Sequence, residues 1–529
     1  MELAKCIYPF IKTSPEKTRP ARLFATKVQE LLKIGENWKP VVGLEVHAQI
    51  SAKSKLFSGA GTSFGSPINS AVSFFDAAIP GTLPVLNKRC VEAGITTALA
   101  LSCKINEVSH FDRKHYFYAD LPAGYQITQQ RKPLAVDGIL HFNVFTPGIH
   151  KQPYPKHSKI KQLQLEQDSG RSLHDEETKR SLIDLNRAGL PLMELVFEPD
   201  LEDGEEAAAL VKELCAILLR LGTCSCKMEE GAFRVDANVS VNRPGEPLGV
   251  RTEIKNIGSV RAVAAAVNFE IERQVLMLED GLEVVNETRS WNTDTNKTVS
   301  MRDKEVKQDY RFMPEPNLPP LRVHLDSNLE NKYNLIDVPF LKEQLPELPE
   351  ESRRNLVEKY AIPRELVLVI VNEPTLLEIF SKVLNDRPNR SALVIAKVLV
   401  NSFLEVMNKN KINLDNCPIT PEQFGEAIDL LETRKINLLV LKLVFEELLA
   451  NPQSSPEKIV AERNWYQIVD EEELTKICQK ILEENADAAR KYKLGKKQIF
   501  NFFKKAIVKS TDQRADMKKA VEILKKLLQ

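Results

Sequence analysis

The chain has 529 residues, 43% of them hydrophobic, and its 73 basic side chains balance 73 acidic ones. A chain of this length is too long to fold around a single hydrophobic core, so three or four domains are expected. No apolar run reaches the roughly 18 residues that span a bilayer, and no membrane partner is expected. The eight cysteines are too few for a disulfide scaffold, and Cys224-Ser-Cys226 lacks the usual zinc spacing. We interpret the cysteines as reduced or structural, with a metal role as the minor alternative.

Residues 1–36 carry seven basic and four acidic side chains, and residues 21–32 could form a basic amphipathic helix. This composition resembles a mitochondrial presequence, although Glu2 and Glu16 count against it. The alternative is a disordered cytosolic arm.

Four segments alternate apolar and polar residues, at 44–50, 192–198, 233–242 and 250–255. Successive side chains of a strand point to opposite faces, so these segments predict strands of a mostly antiparallel sheet with one face in the core. The apolar set includes Val250, Thr252 and Ile254 in the last segment. The polar face could simply meet water. Its Glu, His, Asp, Asn and Arg side chains are, however, groups that can hold metal and phosphate.

Helices are predicted at 88–101, 203–222 and 261–278, the second starting at the N-cap Asp203 and stopping at Gly222. The proline-rich segment 309–321 ends the first large domain, and helical patterns follow. We therefore expect an α+β fold in four parts: residues 1–36 as a presequence or arm, a large α+β domain at 37–327, a helical domain at 328–455 and a helical tail at 456–529.

The C-terminal end is strongly basic. Residues 490–529 contain 13 basic and 3 acidic side chains, a local charge of +10. Lysines on a small helical domain could be only a solvated face. Their clustering favours contact with a phosphate backbone, and we expect the tail to bind nucleic acid.

A series of motifs occurs in one order along the chain and resembles a known family. They are Gly43-Leu-Glu-Val-His47, Pro80-Gly-Thr-Leu-Pro84, Phe111-Asp-Arg-Lys114 with Tyr116-Phe-Tyr118, Gly124-Tyr-Gln-Ile127, Asp184-Leu-Asn-Arg-Ala-Gly189, Met228-Glu-Glu-Gly231, Lys255-Asn256, Glu287-Thr-Arg289 and Asp309-Tyr-Arg311. Together they resemble the B subunits of the aspartyl/glutamyl-tRNA amidotransferases, from about residue 40 to the C-terminus, and the departures look like the mitochondrial branch.

The resemblance implies a cradle domain akin to glutamine synthetase, followed by a helical domain and a tail domain that helps to hold tRNA. It implies a three-subunit enzyme in the mitochondrial matrix, in which the A subunit, an amidase, releases ammonia from glutamine and a small C subunit completes the complex. The B subunit would use ATP and Mg²⁺ to phosphorylate the side-chain carboxylate of glutamate mischarged on tRNA-Gln. Ammonia would then convert that acyl phosphate to the amide.

The resemblance assigns Glu45, His47 and Glu194 to the catalytic and metal site. Glu166 and Gln167 join the expected metal ligands. Weaker candidates for phosphate or substrate contacts follow from their place on the polar strand faces: Arg234, Asp236, Asn238, Glu253 and Lys255.

One position departs from the family pattern. The family usually has His-Met-Glu-Glu-Asp where this chain has Gln164-Leu-Glu-Gln-Asp168. Gln167 therefore replaces a glutamate linked to the metal or to the ammonia path. Strand alternation favours Glu166 on the polar face, but the sequence leaves open which of the two faces the site.

Two other functions stay open at this stage. The chain could be a tRNA-binding scaffold whose site has decayed, as Gln164 and Gln167 would allow, or a stand-alone carboxylate–amine ligase that uses free ammonia. The retained acids and His47 favour a catalytic subunit, and the basic tail favours a nucleic-acid substrate. The chain shows no Ser-Lys amidase signature, so glutamine hydrolysis is expected in another chain.

Overall fold

The computed structural model describes residues 37–175, 177–301, 310–493 and 497–528. The chain divides into two compact units, with the division between Ser352 and Arg353. The predicted presequence or arm at 1–36 lies outside the described residues and stays a prediction. Within the described ranges, no helix has the length and apolar character needed to cross a membrane.

Strands and a few helices alternate in the N-terminal unit. The strands are β1 (Lys39–Gln49), β2 (Lys104–Ile105), β3 (Val108–Ser109), β4 (Asp112–His115), β5 (Tyr125–Thr128), β6 (Ala135–Val144), β7 (Tyr154–Gln167), β8 (Arg171–Asp175), β9 (Arg180–Asp184), β10 (Pro191–Phe197), β11 (Phe233–Asn242), β12 (Thr252–Lys255), β13 (Thr288–Asn292), β14 (Lys297–Ser300), β15 (Arg311–Pro314), β16 (Leu321–His324) and β17 (Ile336–Asp337). The helices are α1 (Lys88–Ala100), α2 (Gly204–Leu221), α3 (Val260–Glu279) and α4 (Val338–Glu343).

Nine strands form the main sheet, in the order β14-β13-β12-β11-β1-β10-β7-β6-β2. Every neighbouring pair is antiparallel except β12 with β13. Smaller sheets are β15-β4-β5, β17-β16-β3 and β8-β9. The structure confirms the predicted α+β class with a mostly antiparallel sheet.

One face of the main sheet is the core of the unit. Leu44, Val46 and Ala48 of β1 are fully buried, as are the matching apolar residues of β10 and β11. Helices α1, α2 and α3 pack against this sheet. The alternation predicted for these strands is confirmed, because the intervening polar residues lie on the opposite, open face. Val250 is a correction: β12 begins only at Thr252, so Val250 lies before the strand and is 47% exposed.

Helix α2 has the ends that the sequence predicts. The Asp203 side chain accepts a hydrogen bond from the backbone N–H of Glu206 at 2.8 Å, and Gly222 ends the helix with a left-handed φ of 64°. Asp203 thereby satisfies a backbone N–H that the first turn of a helix leaves unpaired. Gly222 adopts the left-handed conformation without strain because it has no Cβ. The predictions of helices near 88–101 and 261–278 agree with α1 and α3.

The compact N-terminal unit extends to Ser352, and the predicted domain boundary at 327 stays a prediction. Strand β16 pairs with both β3 and β17, and α4 contacts α1, so the chain up to Ser352 packs with the preceding residues.

The C-terminal unit is helical throughout its described part. Its helices are α5 (Pro349–Tyr360), which begins before the division, α6 (Arg364–Asn372), α7 (Pro374–Asp386), α8 (Ala392–Val398), α9 (Leu404–Lys409), α10 (Pro421–Glu432), α11 (Leu438–Ala450), α12 (Pro456–Glu462), α13 (Glu471–Glu484), α14 (Ala486–Lys493), α15 (Phe500–Ser510) and α16 (Met517–Leu528). A π-helical turn at Leu399–Phe403 joins α8 to α9, and 3₁₀ turns lie at Leu414–Asn416 and Lys497–Ile499.

Helices α13, α15 and α16 share an apolar core of their own, with Phe503 fully buried at its centre. Phe500 packs against that core only partly buried. The finer boundary at 455 stays a prediction.

The cap of α2 provides a test of local stability. Asp203→Ala should destabilise the N-terminal unit by about 1 kcal/mol, because the backbone N–H of Glu206 loses its acceptor. Asp203→Asn keeps a side-chain oxygen at that position and should stay near wild type. Urea unfolding of both variants measures this difference, and an equal loss in both would contradict the role of the cap.

Candidate active site

Three adjacent strands bring His47, Glu166 and Glu194 together on the open face of the sheet. His47 lies directly opposite Glu194 in the register of β1 and β10, and β7 flanks β10 on its other side. Each residue offers one ligand atom, and these atoms all lie within 4.8 Å of one another. The Nε2 of His47 is 3.4 Å from Oε1 of Glu166. We call these three residues the acidic cluster.

The electrostatics of the acidic cluster favour a bound cation. Burial raises the pKa of Glu166 well above its usual value, and the nearby charge of Glu194 raises it further. Burial also lowers the pKa of His47, which keeps a ring nitrogen available as a ligand. Two crowded carboxylates beside a neutral imidazole are a donor set that a divalent ion would satisfy. The residues present therefore fit the Mg²⁺ that the resemblance implies.

Glu45 lies on the same face but outside the acidic cluster. Its Oε1 accepts a hydrogen bond from Nδ2 of Asn238 at 3.0 Å, across the β1–β11 pair. Burial raises the pKa of Glu45, and the charges of Glu194 and Glu253 add to that effect. Glu45 is therefore close enough to the acidic cluster for its carboxylate to interact electrostatically with Glu194, although it lies two residues from His47 along β1.

Gln167 faces away from the acidic cluster. Its backbone oxygen accepts a hydrogen bond from Gln126 at 2.7 Å, and the residue lines a cavity of about 310 Å³ together with Asp76, Gly81 and Gly189. Strand alternation is the reason, because neighbours on β7 point to opposite faces. The structure therefore places Glu166, and not Gln167, among the possible metal ligands.

A second charged group occupies the β11–β12 side of the open face. The Nζ of Lys255 lies 3.1 Å from Oδ2 of Asp236 and 3.1 Å from Oε1 of Glu253. Burial alone would lower the pKa of Lys255, but the charges of Asp236 and Glu253 outweigh it and raise the pKa above the usual value. The ammonium stays charged and is held in one place.

Arg234 lies opposite His47 in the register of β1 and β11. Its Nη2 donates to Oδ2 of Asp168 at 2.8 Å. Apart from Gln167, the candidate residues predicted from the sequence thus share one face, in three groups: the acidic cluster, Glu45 with Asn238, and Lys255 with Asp236 and Glu253. Arg234 stands beside the first.

Sequence reasoning missed several neighbours of the acidic cluster. Asp168 holds Arg234, and Gln164 donates to Oε2 of Glu194 while accepting from Gln162 at 2.9 Å. The charge of Lys114 partly offsets the raised pKa of Glu166, and its Nζ stands 4.4 Å from the ring centre of Tyr310. The sequence could have indicated Gln164 and Asp168, because both are two residues from Glu166 and residues two apart in an extended chain share a face.

Two family profiles match the chain. The profile of the GatB/GatE catalytic domain covers residues 40–328, and that of the GatB domain covers residues 378–528. The chain belongs to the GatB family. The first match contains every candidate residue of the open face, and the second contains most of the C-terminal unit.

Curated relatives agree over almost the whole length of this GatB chain. The B subunit of the mitochondrial glutamyl-tRNA(Gln) amidotransferase of Aedes aegypti is 54% identical over 93% of each chain. The human protein of the same name is 48% identical over 94% of this chain and 90% of its own. The B subunit of the aspartyl/glutamyl-tRNA(Asn/Gln) amidotransferase of Rickettsia typhi is 42% identical over 93% of this chain and 98% of its own. The family indicated by the motifs is thereby confirmed.

The acidic cluster predicts a difference between two neighbouring residues. Glu166→Gln should weaken Mn²⁺ binding by about 10-fold or more, since even indirect partners of metal sites contribute on that scale. The matched variant Gln167→Ala should leave the affinity unchanged, because Gln167 lines the cavity. Calorimetric titration of the assembled enzyme measures both. Equal affinities in the two variants, or a loss only in Gln167→Ala, would contradict this placement.

Proposed function

We propose that this GatB chain is the B subunit of a three-subunit glutamyl-tRNA(Gln) amidotransferase. In this proposal it uses ATP to phosphorylate the side-chain carboxylate of glutamate on tRNA-Gln, and ammonia from glutamine then gives the amide. The observation that carries the proposal is the acidic cluster, since the buried carboxylate of Glu166 and the partly buried one of Glu194 lie close together beside a histidine whose pKa is lowered by burial. Such a donor set suits metal-assisted phosphoryl transfer.

His47, Glu166 and Glu194 would hold Mg²⁺, with Glu45 beside them. When bound, the ion would neutralise negative charge on the phosphates of ATP. The open face as a whole would also favour a bound cation, because its carboxylates outnumber its lysine and arginine side chains. Those carboxylates belong to Glu45, Glu166, Asp168, Glu194, Asp236 and Glu253.

Arg234 and Lys255 are the cations that we assign to the anionic parts of the substrates. Lys255 is suited to orient a phosphate or carboxylate, because Asp236 and Glu253 fix its ammonium from two sides. Asn238 holds the Glu45 carboxylate in one orientation. Preorganised charges of this kind act without reorganisation when the reacting group gains charge.

Gln167 has a separate role in this proposal. The glutamate that it replaces is linked by the resemblance either to the metal or to the ammonia path. Because Gln167 lines the cavity and Glu166 joins the acidic cluster, we assign Gln167 to the path by which ammonia arrives. An uncharged amide there would not trap the ammonia as ammonium.

The names of the relatives support the partners and the location that we propose. Each relative is named as the B subunit of an amidotransferase that acts on glutamyl-tRNA(Gln), so this chain would act with an amidase A subunit, a small C subunit and Glu-tRNA-Gln. The insect and human relatives are named mitochondrial. We propose the mitochondrial matrix as the location, with residues 1–36 serving import and dispensable for activity in vitro.

The first test of this function is Glu194→Ala in the assembled enzyme. ATP-dependent conversion of Glu-tRNA-Gln to Gln-tRNA-Gln should fall by about 100-fold or more, the scale seen when a charge-stabilising group is removed. Glutaminase activity of the partner and tRNA binding should stay near wild type. The exposed Glu283→Ala is a control for loss of one carboxylate. Near-normal phosphorylation by Glu194→Ala would contradict the assignment.

The basic tail gives a second test. Lys518, Lys525 and Lys526 are exposed on α16, whereas Ala520 and Leu524 of the same helix are buried. Replacing the three lysines by Gln should weaken tRNA binding. Its salt dependence should flatten by about 0.7 to 0.9 in log–log slope for each phosphate that the tail no longer neutralises. The core of the tail should stay folded.

A matched triple variant keeps the change in net charge constant. Lys53, Lys104 and Lys332 are exposed lysines of the N-terminal unit, and replacing them by Gln removes the same charge. Binding curves across salt concentrations should separate the two triple variants. Identical slopes in both would mean that the tail lysines only solvate the domain.

A further inference from the structure

The guanidinium of Arg234 is held by one hydrogen bond, and its other donors have no partner among the described residues. Among the described residues, its side chain makes one hydrogen bond, from Nη2 to Asp168, and its buried Nε has no acceptor. A guanidinium carries five N–H donors in a fixed plane, so most of its donors stay free. The side chain is 35% exposed. Arg234 therefore presents open donors on the face that carries the acidic cluster.

Asp168 is fixed far more firmly than the arginine that it holds. Its backbone N–H donates to Leu190 at 2.9 Å, and its backbone oxygen accepts from Gly189 at 2.8 Å. Its carboxylate Oδ1 accepts from the backbone N–H of Ser169 at 2.9 Å. The side chain is buried, with 8% of its surface exposed. The remaining oxygen, Oδ2, is thus presented to Arg234 from a rigid position.

The other arginine near Asp168, Arg187, forms a long ion pair with that oxygen but no hydrogen bond. The Nε of Arg187 lies 3.8 Å from Oδ2 of Asp168, beyond hydrogen-bond distance. Its Nε donates to the backbone oxygen of Ser169 at 3.0 Å, and its Nη2 donates to Gly170. Arg187 therefore stabilises the turn at 168–170, which supports Asp168 in turn.

An anchor matters here because the surroundings of Arg234 are acidic. The charges of Asp168, Glu166 and Asp236 all act on its guanidinium. An arginine free to rotate could pair with either of the latter two and would then cover a metal ligand or displace Lys255. A single bond to a fixed carboxylate prevents both while leaving the other donors available.

We propose that Asp168 is a positioning residue, which holds Arg234 so that its free donors bind the anionic oxygens of the phosphoryl group or of the substrate carboxylate. This inference rests on the proposed function and assigns a role to a residue beyond those in the predicted site. Asp168 acts through Arg234 and need not touch the substrate.

A double-mutant cycle in the assembled enzyme tests the inference. Asp168→Asn should lower kcat/KM for ATP-dependent amidation by about 10-fold, the scale of partners that orient a ligand. Arg234→Gln should lower it by about 100-fold, as removal of a charge-stabilising donor does. The double variant should equal Arg234→Gln alone, because residues that act through one another are not additive.

A second cycle, which combines Asp168→Asn with Lys255→Gln, is the matched control, because Lys255 pairs with Asp236 and Glu253 and not with Asp168. The effect of Lys255→Gln should add to that of Asp168→Asn. Additive effects of Asp168→Asn and Arg234→Gln would overturn the inference, because a merely structural Asp168 would weaken any variant equally. If Asp168→Asn lowers the thermal unfolding midpoint, the same two cycles with Asp168→Glu, which keeps the charge, decide the matter by the same criterion.

The wild-type enzyme separates the two levels of the argument. Absence of ATP-dependent amidation by the complete wild-type complex would overturn the proposed function and this inference with it. Amidation by wild type combined with additive cycles would overturn only the positioning role of Asp168.

Discussion

The pairing of β1 with β10 on one side and β11 on the other is the constraint on which the site depends. This register sets His47 opposite Glu194 and opposite Arg234, and it sets Glu45 opposite Asp236. Because the other face of the same strands is fully buried, a slip by one residue would expose Leu44 and Val46 and bury the charged set. The hydrophobic core therefore fixes the positions of the chemical groups.

The open face resolves its excess of acids in two different ways. On the β11–β12 side, the single ammonium of Lys255 pairs with both Asp236 and Glu253 and offsets part of their charge. At the acidic cluster, no lysine or arginine among the described residues forms an ion pair with Glu166 or Glu194, and burial with mutual repulsion keeps the pKa of Glu166 high. A pair of buried like charges is unfavourable unless a partner supplies positive charge. The two sides therefore differ in role. Lys255 with its two carboxylates is suited to orient an anionic group of the substrate, and the acidic cluster is suited to bind a cation.

Much of this arrangement could be predicted from the sequence, because alternation is a local property. It indicated four strands of the main sheet, their core faces and the shared face of Glu45 and His47, and it favoured Glu166 over Gln167. The resemblance, not alternation, assigned Glu194 to the same site. The register irregularity of β10 falls between Val196 and Phe197, after Glu194, so it did not disturb that reasoning. Val250 failed because alternation alone does not show where a strand begins.

The remaining features depend on contacts between distant segments, which no local pattern encodes. Asp168 meets Arg234 across 66 residues, and Glu45 meets Asn238 across 193. Both contacts depend on the order of the strands, and that order is defined only once the whole sheet has formed. The turn at 168–170 shows the same dependence, since Arg187 stabilises it after the chain has passed through β8 and β9. The strands thus supply the acidic cluster and the two carboxylates that hold Lys255, while Asp168, in a turn beside the sheet, fixes the orientation of Arg234. A site for phosphoryl transfer needs its acids and its cations to be fixed before its substrates bind.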